Sequence, residues 1–268
     1  MGILAAKFND IWQQRSLIWQ LLRRDVLGRY KGSVLGVVWT LVQPLLMLAV
    51  YTFVFGMVFQ TRWQGASGNK LEFAAILFSG LLVFNLFSEC INRAPQLVLE
   101  NANYVKRVIF PLHVLAIVML GSALFHAGMS IAVLMIFLLF STGTLAWTII
   151  LLPLVLAPLV LLVLGLSWML SAFGVYFRDI QHAIGIFVSA LLFLSPIFYP
   201  VSALPAAVQP YIFLNPMSFI IEQARGVAIW GNLPDWNGLL LYLCVSTVIA
   251  WLGLALFERA RRGFADVV

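Results

Sequence analysis

The feature that most constrains this chain is an apolar run without a charged residue between Lys31 and Arg62. A helix needs about 20 apolar residues to cross the hydrocarbon core of a bilayer, and this run is far longer. The segment directly before it is rich in Arg and Lys, and such clusters stay on the cytoplasmic side of a membrane. The chain is therefore predicted to lie along the membrane surface first and to enter the bilayer after the Gly32-Ser33 turn.

The composition also indicates a membrane protein. Hydrophobic residues make up 63% of the chain and charged residues 10%, whereas soluble domains have about 25% charged residues. Lipid must therefore solvate most of the chain. The net charge of +6 would suit a nucleic-acid partner, but the basic residues flank apolar spans. Anionic headgroups explain them better, so no nucleic acid is expected.

Six transmembrane spans are predicted, in an all-α polytopic membrane fold. They cover residues 34–59, 73–90, 108–140, 145–175, 183–199 and 239–257. The third is too long for one straight crossing, so its start is expected to be interfacial or its helix tilted. Residues 141–144 form a tight turn into the fourth span.

The basic residues set the orientation of the six spans. Thirteen Lys and Arg residues fall on the side of the termini and three on the other side. This bias places both termini in the cytoplasm. The expected division is an interface helix in 1–32, a transmembrane domain in 33–258 and a cytoplasmic tail in 259–268.

The N-terminal segment is predicted to be an amphipathic helix. Its apolar face consists of Phe8, Trp12, Trp19, Leu22, Val26 and Tyr30. Aromatic residues with flanking Arg suit a helix in the headgroup layer. Such a helix is either a simple anchor or a mechanical element.

The most polar internal connector spans residues 92–107. It is predicted to be a short helix that presents Glu100, Asn103 and Lys106 to solvent and ends before Pro111. It either docks into the groove of a soluble partner or is a solvated loop. Residues 176–182 form a smaller second connector, with Arg178 and Asp179 as its charges.

Residues 196–231 are punctuated by proline and too short to span. Asn215-Pro216 is a good helix start and Gly231 a plausible stop, and Glu222 and Arg225 on that helix are expected to pair. The segment is either a re-entrant element, which must pack in protein or line a cavity, or a surface helix of the outer leaflet.

Several motifs of enzymes and pumps are missing from the sequence. There is no G-x-x-x-x-G-K-[ST], H-E-x-x-H or G-x-S-x-G, and Cys90, Cys244 and the three histidines have no metal-ligand spacing. No catalytic residue, cofactor or metal is therefore assigned to this chain. No predicted span carries a charged residue in its middle, which disfavours a proton- or sodium-driven transporter.

Seven short blocks, in order, resemble the membrane-spanning subunit of ABC-2 type polysaccharide exporters over nearly the whole chain. They are Arg24-Asp25 to Tyr30-Lys31, Leu35-Gly36-Val37-Val38-Trp39, Gln43-Pro44-Leu45, Val54-Phe55-Gly56, Asn103-Tyr104-Val105-Lys106-Arg107 with Phe110-Pro111, Phe177-Arg178-Asp179-Ile180, and Leu214-Asn215-Pro216-Met217. The resemblance implies a homodimer in a bacterial inner membrane, with one channel and two separate ATPase subunits that bind ATP and Mg²⁺.

The resemblance also assigns roles to residues. ATPase docking is expected at the connectors, through Glu100, Asn103, Tyr104, Lys106, Arg107, Arg178 and Asp179. Residues 92–107 would be the coupling helix, the N-terminal helix would also contact the ATPase, and residues 196–231 would be the re-entrant outer gate.

The substrate expected from the resemblance is an undecaprenyl-linked polysaccharide. Its pyrophosphate would be attracted at the membrane entrance by Arg23, Arg24, Arg29 and Lys31. Sugar rings stack on aromatic rings, so the candidate channel aromatics are Trp39, Tyr51, Phe55, Phe84, Phe87, Phe198 and Tyr199. Packing or an interfacial belt is the alternative explanation for each of these aromatics.

Gln43 bears on the choice of glycan. Capsule exporters of this family usually have an acidic residue there, whereas O-antigen and teichoic-acid exporters resemble this sequence. Lipid-linked O-antigen is therefore favoured, with teichoic acid or capsule next. A membrane-bound sugar transferase and a non-transporting scaffold are the remaining alternatives, and the transferase would need clustered carboxylates.

Overall fold

The computed structural model describes residues 12–54, 70–105 and 110–267, and these residues form helices and turns with no strand. The longer helices are α1 (Arg15–Arg29), α2 (Trp39–Phe53), α3 (Lys70–Arg93), α4 (Val114–Thr142), α5 (Leu152–Tyr176), α6 (Ile180–Leu194), α7 (Pro216–Ala228) and α8 (Trp236–Ala260). Short helices cover Leu97–Glu100, Ala102–Val105, Gln209–Ile212 and Phe264–Val267, and 3₁₀ turns cover Gly36–Val38, Ala94–Gln96, Trp147–Leu151, Val201–Ala203 and Arg261–Gly263.

Five of the helical stretches in the described residues are long and apolar enough to cross a membrane. They are Gly36–Phe53, Leu71–Glu100, Val114–Thr142, Trp147–Tyr176 and Trp236–Gly263. The fifth predicted span corresponds to α6, which has 15 residues and is shorter than the other spans. The turn after the third span is confirmed, since α4 ends at Thr142 and Gly143 adopts a φ of 72°.

The third predicted span begins later than expected. Its helix starts at Val114, after a non-helical Phe110-Pro111. Proline has no N–H for a helical hydrogen bond, so the helix begins after it. The helix still has 29 residues, which one crossing accommodates when the helix is tilted. Residues 55–59 and 108–109, predicted to belong to the first and third spans, lie outside the described residues.

α3 is the central helix of the bundle. In the most apolar segment of the stretch Leu71–Glu100, which contains α3, 83% is buried inside the structure. The corresponding share for Gly36–Phe53, which contains α2, is 11%. α3 contacts α2, α4, α5, α6 and α7. Residues on α3 are therefore surrounded by protein, whereas α2 is in large part available to lipid or to another chain.

α5 and α8 approach each other closely because two glycines face each other. A Cβ atom on Gly253 would lie 2.2 Å from the carbonyl oxygen of Gly165, and one on Gly165 would lie 2.6 Å from the Cα of Ala250. Small residues allow this backbone approach in membrane helices, where packing contacts provide most of the association energy.

The two connectors and the chain end meet at one end of the bundle, here called the connector end. Gln96 hydrogen-bonds to Gln181, Tyr176 donates to the carbonyl of Ala260, and Arg261 donates to the carbonyl of Phe110. Phe264 is fully buried there. The predicted tail, residues 259–268, is thus packed on the bundle as far as the structure describes it.

The connector 92–107 differs from the predicted single helix. It consists of the Ala94–Gln96 turn and two four-residue helices that are separated at Asn101. The Asn101 side chain donates to the carbonyl of Leu97 and so closes the first helix. The Ala94–Gln96 turn packs closely against α5 because Gly174 on α5 has no side chain. A Cβ atom on Gly174 would lie 1.9 Å from the carbonyl oxygen of Pro95.

α7 begins and ends where the sequence predicts. Asn215 caps it by accepting a hydrogen bond from the Met217 N–H, and Gly231 follows its end with a φ of 70°. The predicted pair is also confirmed, with 3.0 Å between Arg225 and Glu222. α7 packs on α3 and α5, so it lies in protein, as a re-entrant helix requires.

α1 packs along α4, and only some of the residues in this contact belong to the predicted apolar face. Leu21 contacts the start of α4, and Tyr30 reaches His126. The two helices therefore run in the same direction. Trp12 and Trp19, predicted on the same face as Val26, are 61% and 67% exposed. Phe8 lies outside the described residues.

Candidate functional site

A polar cavity lies between α1, α2, α3 and α4. Its volume is about 420 Å³. The polar lining residues are Arg29, Tyr30, Thr40, Gln43, Tyr51, Asn85, Ser88, Glu89, His126 and Ser130. Pro44 also lines it and has no N–H to offer the carbonyl of Thr40, so α2 has one helical hydrogen bond fewer at the cavity wall.

Glu89 is the centre of an ion-pair network at the wall of this cavity. Its carboxylate lies 2.5 Å from Arg29, 3.1 Å from Nδ1 of His126 and 3.8 Å from Arg93. Arg93 in turn lies 3.1 Å from Asp25 on α1. Two ion pairs therefore hold α1 against α3.

His126 joins the network through both ring nitrogens. Nδ1 lies 3.1 Å from the Glu89 carboxylate and 3.4 Å from the Arg29 guanidinium, and Nε2 lies 3.3 Å from the hydroxyl of Tyr30. Burial raises the pKa of the Tyr30 hydroxyl, and Glu89 adds to this while Arg29 opposes it. The Tyr30 hydroxyl is therefore protonated at neutral pH.

The network lies deep in the bundle. His126 is twelve residues beyond the start of α4, which corresponds to about 18 Å along the helix. Glu89 lies within the 30-residue stretch Leu71–Glu100, well away from both of its ends. Glu89 is also the second-last residue of the predicted span 73–90, and the Ala94–Gln96 turn that prolongs the helical stretch belongs to the connector.

One of the four residues predicted to bind the lipid headgroup lines the cavity. This residue is Arg29, whose side chain is 29% exposed. Arg24 lies instead over the ring of Tyr104 and donates to its hydroxyl at 2.5 Å. Arg23 and Lys31 are exposed.

The candidate channel aromatics are dispersed through the fold. Tyr51 lines the cavity. Phe84 and Phe87 are buried in the core of the chain, 4% and 2% exposed, because α3 is enclosed by other helices. Phe198 and Tyr199 follow α6, at the end of the bundle opposite the connectors, and Trp39 is 37% exposed at the start of α2. Phe55 lies outside the described residues.

The predicted docking residues that the structure describes lie at the connector end. Glu100, Asn103, Arg178 and Asp179 are exposed. Tyr104 stacks on Phe110 with 4.4 Å between ring centroids and contacts Arg24 on α1. Lys106 and Arg107 lie outside the described residues.

Sequence reasoning missed the roles of Glu89, His126 and the Asp25–Arg93 pair. The available signal was a Glu and a His within apolar helices, where ionisable groups are costly and mark functional sites. Within the described ranges no group of three His, Cys, Asp or Glu residues has the arrangement of a metal site. The carboxylates of Asp25 and Glu89 are linked through Arg93.

Comparison with known proteins gives matches over most of the chain. The family described as ABC-2 type transporter matches residues 16–229. The O-antigen export system permease protein RfbA of Myxococcus xanthus is 27% identical over 97% of this chain and 98% of its own length. RfbA of Klebsiella pneumoniae is 23% identical over 92% and 93%. The polysialic acid transport protein KpsM of Escherichia coli is 23% identical over 91% and 93%.

Proposed function

The chain belongs to the ABC-2 type transporter family, and on this premise we propose that it is the membrane-spanning subunit of an exporter of lipid-linked O-antigen polysaccharide. The observation that carries the proposal is the match to O-antigen export permeases over nearly the full length of the chain. The matched region includes every helix that lines the cavity.

The cavity supports a binding site for the headgroup of the lipid carrier. Arg29 provides a guanidinium in its wall, and exposed Arg23 and Lys31 lie nearby in sequence. A guanidinium binds phosphate oxygens through two parallel hydrogen bonds. In this proposal the exposed cations attract the anionic headgroup, and Arg29 holds it between α1 and α2 while the glycan enters the channel.

The energy source in this proposal is a separate ATPase subunit, which binds ATP and Mg²⁺. It docks on the connector end, through the exposed Glu100, Asn103, Arg178 and Asp179. The hydrogen bond between Gln96 and Gln181 joins the two connectors, so both would move together when the ATPase closes. The chain itself is proposed to hydrolyse no nucleotide.

The assembly is proposed to contain two copies of the chain and two ATPase subunits. Both termini face the cytoplasm, in agreement with the thirteen basic residues predicted on that side. Residues 196–231, with α7 packed in protein, form the outer gate. The glycan passes through a channel between the copies, past aromatic rings that bind sugar without sequence preference.

A capsular polysaccharide is the second candidate substrate, because the polysialic acid transport protein KpsM matches almost the same length. Gln43 argues for O-antigen, because capsule exporters usually have an acidic residue at that position. Its amide lines the cavity together with Arg29. Teichoic acid remains compatible with Gln43.

The test is deletion of the gene in the source bacterium. We expect loss of surface O-antigen and accumulation of lipid-linked glycan in the cytoplasmic leaflet, both reversed by the wild-type gene. Normal surface O-antigen with a missing capsule would contradict the O-antigen assignment and support the second candidate.

A further inference from the structure

We propose that Glu89 is an internal competitor for the anionic headgroup, and this inference rests on the function proposed above. Its carboxylate pairs with the Arg29 guanidinium, and in this proposal it moves to Arg93 when the headgroup binds. Glu89 is then a residue that determines specificity, because a lipid must carry enough negative charge to displace it.

The contacts of Glu89 are those of a bound anion. One Arg and one His lie within 3.1 Å of its carboxylate, and Arg93 lies 3.8 Å away. Carboxylate and phosphate oxygens accept the same hydrogen bonds from a guanidinium fork. A site that holds the carboxylate in this way also has the donors for a phosphate group.

Glu89 lies at the cavity wall and not beneath it. The side chains of Glu89, Arg29 and His126 are 22%, 29% and 18% exposed. Among the described lining residues Glu89 is the only acid, and Gln43, Asn85, Ser88 and Ser130 supply neutral polar groups. A headgroup in the cavity therefore competes with a single carboxylate, that of Glu89, for the guanidinium of Arg29.

The geometry provides a second place for the displaced carboxylate. Arg93 is one turn further along α3 and already lies within 3.8 Å of Glu89. Arg93 also keeps Asp25 as a partner at 3.1 Å, so α1 stays attached to α3 during the exchange. Glu89 leaves Arg29 without becoming an isolated charge, which would be costly inside the bundle.

Charge decides the exchange. The pyrophosphate headgroup carries at least two negative charges at neutral pH, both in the glycan-linked lipid and in undecaprenyl pyrophosphate, whereas the Glu89 carboxylate carries one. The higher charge favours the diphosphate at Arg29, since Coulomb interactions are strong in a partly desolvated site. A lipid with an uncharged headgroup gains too little there to displace Glu89.

The test is binding of undecaprenyl pyrophosphate to the chain, co-purified with its ATPase subunit, in lipid nanodiscs. We expect Glu89→Gln to bind this probe about tenfold more tightly than wild type, because one charge-assisted hydrogen bond of the competitor is lost. The gain is expected to disappear in the double variant Glu89→Gln with Arg29→Gln. Inorganic pyrophosphate should compete if the headgroup alone is recognised.

Glu258→Gln is the matched control. Glu258 also lies near an Arg and a His, with 3.8 Å to Arg261 and 3.0 Å to His113, but at the connector end away from the cavity. We expect the Glu258→Gln variant to bind undecaprenyl pyrophosphate with the affinity of wild type. Glu89→Asp is the second variant, which shortens the carboxylate by one methylene group and should give a smaller gain.

The outcomes separate the inference from the proposed function. Wild-type binding with an unchanged or weaker affinity in Glu89→Gln overturns the inference alone, as does a gain that persists without Arg29. If Glu89→Gln does not assemble, an affinity of Glu89→Asp no higher than wild type also overturns it. No binding of the probe to wild type or to any variant contradicts the proposed function itself and the inference with it.

Discussion

Arg225 and Pro196 are joined by a 2.6 Å hydrogen bond from the guanidinium of Arg225 to the proline carbonyl. Arg225 also donates to the carbonyls of Ile197 and Ile76, at 2.8 Å and 3.2 Å, and is fully buried. One side chain therefore ties α7 to α3 and to the segment that follows α6. Gly80 leaves room for it on α3, since a Cβ there would lie 2.8 Å from the guanidinium.

Replacement of this arginine is expected to destabilise the fold strongly. Arg225→Met leaves three buried carbonyls without their donor, and removal of a buried charged partner costs about 3–5 kcal/mol. We expect a clear fall in the melting temperature of the detergent-solubilised protein, measured by size-exclusion chromatography after heating. The exposed Arg259→Met is the control. Equal melting temperatures of the two variants would show that the hydrogen bonds of Arg225 contribute little to the stability of the fold.

Gly174→Ala is expected to uncouple ATP hydrolysis from export. The new Cβ would lie 1.9 Å from the carbonyl oxygen of Pro95, so the turn before the connector helices must move away from α5. We expect several-fold less surface polysaccharide with ATPase activity retained. Gly185→Ala, on α6, meets no atom within 4 Å and is expected to behave as wild type. Wild-type export by Gly174→Ala would contradict the proposed coupling through this turn.

The connector charges give a second test of docking. We expect the double variant Glu100→Ala with Lys106→Ala to lose export while it still inserts into the membrane. Glu100 is exposed at the connector end, and Lys106 lies outside the described residues. Export is measured as surface polysaccharide and insertion as protein in the membrane fraction. Unchanged surface polysaccharide would remove these residues from the docking surface.

Gln43→Glu is expected to weaken headgroup binding. A second carboxylate in the cavity wall repels an anionic headgroup and competes for Arg29. We expect about tenfold weaker binding of undecaprenyl pyrophosphate, which corresponds to about 1.4 kcal/mol. Gln43→Met separates the effect of charge from the loss of the amide, and its affinity should lie closer to wild type. A Gln43→Glu affinity equal to wild type would place the headgroup elsewhere.

Local signals predicted much of the fold correctly. Asn215 and Pro216 specify the start of α7, because the side chain caps the first turn and proline needs no donor there. Gly143 specifies the end of α4, because it adopts a left-handed conformation that glycine tolerates. These features depend on residues that are neighbours in the sequence, and the apolar spans between them are set by length and composition.

The site was harder to predict because its parts come from distant segments. Arg29, Glu89 and His126 belong to three helices, and their meeting depends on how α1 packs along α4. The apolar periodicity of α1 does not fix that packing, since Trp19 is exposed while Leu21 is buried. Burial of Phe84 and Phe87 likewise depends on the central position of α3, which no local pattern reveals.

This chain is proposed to form an ATP-driven exporter together with a separate ATPase subunit. The most direct measurement is ATPase activity of the chain alone and after co-expression with its candidate nucleotide-binding subunit, in lipid nanodiscs. We expect activity only in the co-expressed complex, with two copies of each subunit. A chain that retains no ATPase subunit on purification, or a complex without ATPase activity, would contradict the proposed exporter.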